Sequence, residues 1–293
     1  MSVDEASIPS LFRKASRQLA KMASKPVPDD VHKFRTAVRR LEAVLGELFP
    51  EQSRNHRKML RQLSRLRRRA GRVRDMDVQI ARLRSLKMSA EPRRKTEILR
   101  TLAEMRGKRE GKLLKALDGE TVGGLRRRLK RAQGGFEIPP NAPDPLALSL
   151  RLFKRLADEQ APLTEEVLHQ YRINGKRVRY IAELAGETAS AQHMIAKLEH
   201  MQDALGDWHD WLSLTQTVQK LAGDDLSSPL LSALNNITRA KLRGAMQAVT
   251  ETRAALLSKP VSFIRPEDAH LRSTAAARRK PSSSQAVPAT AIA

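Results

Sequence analysis

Two short sequence patterns each occur twice in the chain, at nearly the same separation. A histidine followed by bases three, seven and eight positions later begins at His32 and again at His169. A Gly-x-x-(Arg/His)-Asp pattern begins at Gly71 and again at Gly206. The copies of the first pattern lie 137 residues apart and those of the second 135, in the same order. We interpret this as an internal duplication, which requires both halves to fold into the same set of elements.

Hydrophobic residues recur along most of the chain at the spacing of amphipathic α-helices. Leu, Ala, Arg, Lys and Glu dominate these stretches, and runs of β-branched residues are few. The fold class predicted from this pattern is all-α. The expected helices cover residues 8–23, 29–48, 52–87, 92–117, 121–133, 145–159, 164–185, 190–221 and 228–257.

Proline and glycine interrupt the helical pattern near the middle of the chain. Residues 134–144 contain three prolines and two glycines, which remove backbone donors and cost backbone entropy, so we expect a linker there. We predict a first helical bundle at residues 1–133 and a second at residues 145–259. Each would have about four helices, and the two would face each other across a pseudo-two-fold axis. Residues 260–293 lose the periodicity and are expected to form a disordered tail.

Each copy of the histidine pattern aligns a histidine and two cations along a helix. At about 100° per residue, positions 0, 3 and 7 lie within about 60° of one another. Aligned like charges repel each other, but they bind well to a multiply charged anion that lies along them. A solvated flank beside the apolar face is the alternative, and the second copy favours the anion site. The stripes are His32, Arg35 and Arg39 in the first half, and His169, Arg172, Lys176 and Arg179 in the second.

The segment from Arg54 to Arg74 contains ten Lys or Arg residues, one histidine and no acid. Arg67 and Arg74 fall on the apolar side of this helix, where an arginine needs a partner or a wet cavity. They are therefore candidate ligand contacts, and the alternative is pairing with Glu42, Asp75 or Asp77. In the second half, His209 occupies the position of Arg74. The remaining bases project away from the apolar face, and most of them are expected to be solvated: Lys58, Arg61, Arg65, Arg68 and Arg72.

The charge and composition of the chain indicate an anionic partner. There are 55 Lys and Arg against 32 Asp and Glu, a net charge of +23, which solubility alone does not require. Aromatic residues make up only 3%, which argues against the stacking surfaces of single-stranded nucleic-acid readers. Polyphosphate, nucleic-acid backbone and anionic lipid remain as ligand classes.

Cysteine is absent, which excludes disulfides, thiolate metal sites and a cysteine nucleophile. No apolar run approaches the length needed to span a bilayer, and no signal peptide or membrane anchor is recognisable. We therefore expect a cytoplasmic protein with no membrane association. The oligomeric state is not predicted.

One helix carries histidines and carboxylates that could in principle bind a metal: His193, His200, Asp203, Asp207 and Asp210. No His-Glu-x-x-His pair and no Walker-type phosphate loop accompanies them. The carboxylates also have many arginines to neutralise. The sequence therefore predicts no metal site, no cofactor and no catalytic activity.

Taken together, the duplicated His-x-x-Arg-x-x-x-(Arg/Lys)-Arg helix and the Gly-x-x-(Arg/His)-Asp pattern resemble the CHAD family, the conserved histidine α-helical domain. The resemblance covers roughly residues 8–257 and implies two four-helix bundles with a basic groove between them. It further implies binding of long-chain inorganic polyphosphate there and association with polyphosphate granules. The site residues implied are His32, Arg35, Arg39, Arg40 and Arg74 in the first half, and His169, Arg172, Lys176, Arg177, Arg179 and His209 in the second.

The first half departs from the second at Glu42, where the second has Arg179, so an asymmetric site is expected. Our leading hypothesis is non-catalytic polyphosphate binding. Two rival hypotheses remain, a nucleic-acid-binding architectural protein that uses the basic run from Arg54 to Arg74, and a metal-dependent phosphohydrolase. Nucleic acid is at most a secondary partner under the leading hypothesis.

Overall fold

A computed structural model describes residues 7–51, 53–88, 90–158, 162–222 and 228–258 of the chain. These residues form nine α-helices and contain no strand, which confirms the all-α prediction. The helices are α1 (Ser7–Ser24), α2 (Pro28–Glu47), α3 (Arg54–Ser85), α4 (Pro92–Leu114), α5 (Gly119–Gly134), α6 (Pro145–Asp158), α7 (Glu165–Ala182), α8 (Ala189–Ala222) and α9 (Pro229–Leu257).

The helix boundaries follow from capping chemistry close to the predicted positions. The Thr164 hydroxyl accepts a hydrogen bond from the Val167 backbone N–H at 3.3 Å, and α7 begins at the next residue. Asp118 accepts from the Thr121 N–H at 2.7 Å and begins α5 two residues before the predicted start. α5 continues to Gly134, one residue into the predicted linker.

The first hydrophobic core joins α1, α2, α3 and α5. Phe12, Phe34 and Leu63 lie fully inside it. Phe136, between α5 and α6, packs edge-on against Phe49 at 4.9 Å, so the segment after α5 is anchored to this core. Leu148 of α6, together with Ile181 and Leu184 from α7 and the residues after it, belongs to the same core.

A second core combines parts of both halves of the sequence. The end of α3 and the start of α4 pack with the end of α8 and the start of α9. The long helix α3 therefore contributes to both cores, because its buried positions recur every three or four residues. These positions are Met59, Leu63, Leu66, Ala70, Val73, Met76, Ile80 and Leu83.

Between the halves, α2 packs against α7 and α3 packs against α8. These are the helix pairs that the duplicated patterns align. Two ion pairs are also reciprocal, because Arg40 of α2 pairs with Glu183, while its counterpart Arg177 of α7 lies 3.8 Å from Glu47 at the end of α2. The duplication and the predicted domain limits stay predictions, and residues 260–293 of the predicted tail lie outside the described residues.

Candidate functional site

The site lies where α2 faces α7, with α3 and α8 behind them. The apolar face of α2 is buried, with Val31, Phe34 and Val38 fully covered. Arg35 and Arg39 follow this face along its edge and are half-buried. Since α7 places its own stripe at the same interface, the two predicted stripes meet.

Four cations from these stripes come together across the interface. Arg35 and Arg39 of α2 and Arg172 and Lys176 of α7 lie close enough for their charges to repel. We refer to these four residues as the cation cluster. The sequence predicted all four as ligand contacts but did not establish that they would meet.

Burial and mutual repulsion disfavour the charged forms within the cation cluster. Burial, together with the positive charges of Arg172, Arg39 and Arg35, lowers the pKa of Lys176 to about 7. Burial, together with the like charge of Arg39, lowers the pKa of Arg35 to about 10. The pKa values of Arg39 and Arg172 are lowered for the same reason. The cluster is therefore unfavourable until an anion binds to it.

The cation cluster is poorly neutralised within the described part of the chain. There, no carboxylate lies within 4.0 Å of the charged nitrogens of Arg39, Arg172 or Lys176. Arg35 has one distant partner, Asp75, at 3.7 Å. The Nε atoms of Arg35 and Arg172 are buried and donate no hydrogen bond in the structure. These donors are available to an anion.

A cavity of about 260 Å³ opens beside the cation cluster, between α2 and α7. Its walls combine bases from both helices and α3 with an aromatic ring and small or apolar side chains. The lining residues are Arg39, Glu42, Ala43, Arg67, Arg172, Ile173, Lys176, Arg177 and Tyr180. A negatively charged chain could enter here and contact three members of the cluster.

Arg67 and Arg74 both turn towards the site, as their positions on α3 predict. Arg67 lines the cavity and pairs with Glu42, its Nε lying 2.9 Å from the carboxylate oxygen. Arg74 is close enough to repel both His32 and Arg35. The alternative of pairing with Glu42 therefore holds for Arg67. The other two acids considered there face different bases, since Asp75 lies 3.7 Å from Arg35 and Asp77 lies 2.6 Å from Arg106.

The glycine that opens the Gly-x-x-(Arg/His)-Asp pattern has a packing role at this site. A Cβ added at Gly71 would lie 3.6 Å from the Arg35 guanidinium. Gly71 therefore lets this side chain lie directly on α3. Gly206, which opens the second copy, has no such contact within the described residues. A Cβ at Gly175 of α7 would lie only 2.8 Å from the Met201 methyl group, so that side chain of α8 would have to move.

The histidines lie at one end of the groove between α2 and α7. The rings of His169 and His209 are 5.5 Å apart between centroids. Burial, together with the positive charge of Arg172, lowers the pKa of His209 to about 3. Burial also lowers the pKa of His32, with Arg74 and Arg35 adding repulsion. At neutral pH, His209 is therefore a neutral hydrogen-bonding group.

Two predicted contacts, Arg40 and Arg179, are instead neutralised around a tyrosine. Their guanidinium carbons lie 5.3 and 5.4 Å from the centroid of the Tyr180 ring, within cation–π range. Glu183 pairs with both, and Glu199 accepts a hydrogen bond from Arg179 at 2.6 Å. We refer to these five residues as the Tyr180 network. These ion pairs and ring contacts account for the positions of Arg40 and Arg179 without a bound ligand.

In its neutralisation by acids, Arg177 is intermediate between the cation cluster and the Tyr180 network. Its side chain is 57% exposed and lines the cavity, and its only ion-pair contact among the described residues is with Glu47 at 3.8 Å. Tyr180 and Ile173, which also line the cavity, were not predicted as site residues. A helical wheel would have found them, because Ile173, Lys176 and Tyr180 follow one another at steps of three and four residues.

The carboxylates of α8 that could have bound a metal face bases. Asp207 lies 2.5 Å from Arg82 and 2.7 Å from Lys241, and Asp210 lies 3.9 Å from Arg82. His200 faces Glu251 at 3.6 Å. Across the ranges that the structure describes, no group of three His, Asp or Glu side chains could hold a metal ion. In those same ranges, no helix has the length and apolarity to cross a bilayer.

Comparisons with known proteins place this geometry in a known fold. The family model of the CHAD domain matches residues 7–219. The structure is similar to that of PptA from Streptomyces chartreusis, with a TM-score of 0.66 and 15% identity, over 88% of this chain and 100% of that chain. It is also similar to the CHAD domain from the plant Ricinus communis, with a TM-score of 0.62 and 17% identity, over 86% of this chain and 90% of that one. No curated protein matches the chain by sequence.

Proposed function

Because this chain belongs to the CHAD domain family, we propose that it binds long-chain inorganic polyphosphate in the groove between α2 and α7. The observation that carries the proposal is the cation cluster, in which Arg39, Arg172 and Lys176 have no ion-pair partner within the described residues. Polyphosphate carries about one negative charge per phosphate, so consecutive phosphates can neutralise consecutive cations by charge-assisted hydrogen bonds.

The arrangement of the cations favours polyphosphate over a nucleic-acid strand. Arg35 faces Asp75, and Arg172, its counterpart in the second copy, is attracted by Asp210, the counterpart of Asp75. The two helices therefore present similar cation contacts to a ligand that lies between them. A polyphosphate chain is uniform along its length and carries no bases, so such contacts are sufficient to bind it. The cavity also lacks a second aromatic ring on which bases could stack in succession.

We propose that binding is non-catalytic and brings the protein to polyphosphate granules in the cytoplasm. Cleavage of a phosphoanhydride requires a metal clamp or a positioned nucleophile. The acids at the groove face bases, since Glu42 pairs with Arg67, Asp75 lies 3.7 Å from Arg35, and Asp210 lies 3.9 Å from Arg82. Incubation of the protein with polyphosphate and Mg²⁺ or Mn²⁺ should release no phosphate above the protein-free control. Release that disappears in Asp207→Asn would support the phosphohydrolase hypothesis instead.

The deciding experiment is a competition between a short polyphosphate and duplex DNA at several salt concentrations. We expect polyphosphate to remain bound at about 0.2 M salt, where DNA held only by charge has dissociated. The variant Arg39→Glu with Lys176→Glu should lose the polyphosphate binding that persists at about 0.2 M salt. Its matched control is Arg151→Glu with Lys154→Glu, which makes the same charge change on the exposed side of α6. Equal affinity for DNA and polyphosphate, or equal loss in the control, would contradict the proposal.

A further inference from the structure

Helix α3 presents a second group of cations on the side opposite the groove. Lys58, Arg61, Arg65, Arg68 and Arg72 are all exposed, and they follow one another at steps of three and four residues. We refer to these five residues as the outer stripe. At a rise of 1.5 Å per residue, the stripe is about 21 Å long, with a cation about every 5 Å.

The outer stripe is as poorly neutralised as the cation cluster. Within the described residues, no carboxylate lies within 4.0 Å of any of its five charged groups. Of these groups, only the Arg68 guanidinium donates a hydrogen bond there, to the Ser64 hydroxyl at 3.4 Å. The segment from Arg54 to Arg74 contains no acid that could pair with them along the helix. Like charges three or four residues apart destabilise a helix by a few tenths of a kcal/mol each. Folding alone does not favour this arrangement.

Most of the outer stripe faces away from the groove, although Arg68 and Arg67 both donate to the Ser64 hydroxyl, at 3.4 and 3.3 Å. Arg67 of α3 lines the groove, and on the helical wheel the cations of the outer stripe lie about 100–180° from it. The buried side of α3, with Leu63 and Ala70, lies between them on one flank. A helix with its side chains is about 10–12 Å across, so a chain lying in the groove passes the stripe only after leaving the groove.

Helix α5 extends the basic surface at the start of α3. It packs there through Arg128, whose guanidinium donates to the Asn55 side chain at 3.5 Å, and Ala132, whose carbonyl lies 3.1 Å from the His56 ring. α5 adds four more exposed bases, Arg126, Arg127, Lys130 and Arg131. The outer surface therefore has the extended, single-sign charge that a polyanion requires.

We propose that the outer stripe is a second polyphosphate-binding site, so that one molecule holds two segments of polyphosphate at once and cross-links chains. The ligand class rests on the proposed function of the groove. The evidence for a second site is independent of it, and consists of the exposed, unpaired cations on the outer side of α3. The outer stripe has no aromatic ring among its cations on which a base could stack. Two sites on one molecule also raise the apparent affinity for long chains that reach both.

The test is a two-step capture assay on the full chain. Polyphosphate is immobilised, the protein is bound to it, and a second, fluorescent polyphosphate is added. The wild type should recruit the fluorescent chain. The variant Arg61→Glu, Arg65→Glu, Arg68→Glu should still bind the immobilised chain through the cation cluster but recruit the second chain at least about tenfold less. The new glutamates lie three or four residues from the remaining bases, so the helix should stay folded.

The control variant Arg151→Glu, Lys154→Glu, Arg243→Glu makes the same change in net charge on exposed positions of α6 and α9 and should behave as the wild type. Recruitment by the stripe variant at the wild-type level would overturn the second site. Recruitment of fluorescent duplex DNA but not of polyphosphate, lost in the stripe variant, would make the stripe a nucleic-acid surface and also overturn the proposal. Failure of the wild type to bind the immobilised chain at all would contradict both sites, whereas loss of recruitment alone contradicts only the second one.

Discussion

Two groups of arginines lie at the same interface between α2 and α7, and they differ in whether acids accompany them. In the Tyr180 network, Arg40 and Arg179 share Glu183, and Arg179 also donates to Glu199. In the cation cluster, Arg39 lies one residue from Arg40, yet no acid within the described residues pairs with it. Adjacent arginines of one motif therefore have different roles. The local deficit of negative charge, and not the number of cations, distinguishes the cation cluster of the proposed polyphosphate site from the Tyr180 network.

The difference also separates stability from binding. A buried arginine that is paired and stacked on a ring contributes to packing, and its removal leaves a carboxylate without its partner. A buried arginine without a partner destabilises the protein until a ligand neutralises it. The unpaired charges of the cation cluster thus lower the free energy of unfolding of the unliganded protein, and a bound anion would raise it again.

The largest expected effect is on the affinity for polyphosphate, when arginines of the cation cluster or of the Tyr180 network are replaced by neutral glutamine. Arg39→Gln with Arg172→Gln should weaken polyphosphate binding about 100-fold, at about tenfold for each lost charge-assisted contact. Arg40→Gln with Arg179→Gln should change the affinity less than about threefold, because these side chains are already neutralised. Calorimetric titration at constant salt measures both, with circular dichroism as the control for folding. Similar losses in the two double variants would erase the distinction between the groups.

The next effect is on the pH dependence of binding. Because the pKa of Lys176 is about 7 without a ligand, and an adjacent polyanion raises it, binding takes up a proton above pH 7. Affinity should therefore fall as the pH rises from 7 to 9, by up to about tenfold per pH unit. Lys176→Arg stays charged in this range, so its profile should be nearly flat. A wild-type profile as flat as that of the variant would show that Lys176 does not contact the ligand.

The same shift affects the stability of the unliganded protein with the opposite sign. The pKa of an ordinary lysine is 10.5, so between pH 7 and pH 10.5 the unfolded chain binds more protons than the folded one. The contribution of Lys176 to stability is therefore greatest above this window, and it decreases as the pH falls towards 7. Binding and stability thus respond to pH in opposite directions at one residue.

The smallest expected effect is on stability and has opposite signs in the two groups. Arg39→Met removes an unpaired buried cation and should raise the free energy of unfolding by about 1 kcal/mol at pH 7. Arg40→Met leaves Glu183 short of a partner and should lower it by about 1–2 kcal/mol. Urea denaturation without ligand measures both. A loss of stability in both variants would mean that Arg39 has a packing role that outweighs its charge.

The fold was largely predictable from the sequence, since each helix lies within a few residues of an expected one. Apolar periodicity and capping residues such as Thr164 and Asp118 act over a few residues, so they can be recognised without tertiary contacts. The burial of Arg67 was predictable for the same reason. Its partner was not, because pairing with Glu42 and not with Asp75 or Asp77 depends on how α2 packs on α3.

The sharing of the two hydrophobic cores between the halves could not be predicted from the sequence. Two bundles with a linker at 134–144 suggest two separate interiors, whereas Phe136 packs into the first core and α3 contributes to both. The hydrophobic pattern of a helix shows which face is buried but not which distant helix covers it. Contacts between residues more than 100 positions apart decide that.

By itself, the sequence determined the nine helices, the two basic stripes and the excess of positive charge, because each of these depends on residue type and local spacing. Only the tertiary structure decided which cations are neutralised. Ion pairing requires opposite charges within about 4 Å, and the acids that separate Arg40 from Arg39, and Arg179 from Lys176, come from the far end of α7 and from α8. The fold therefore divides two nearly equivalent stripes between the neutralised Tyr180 network and the unpaired cation cluster beside the groove.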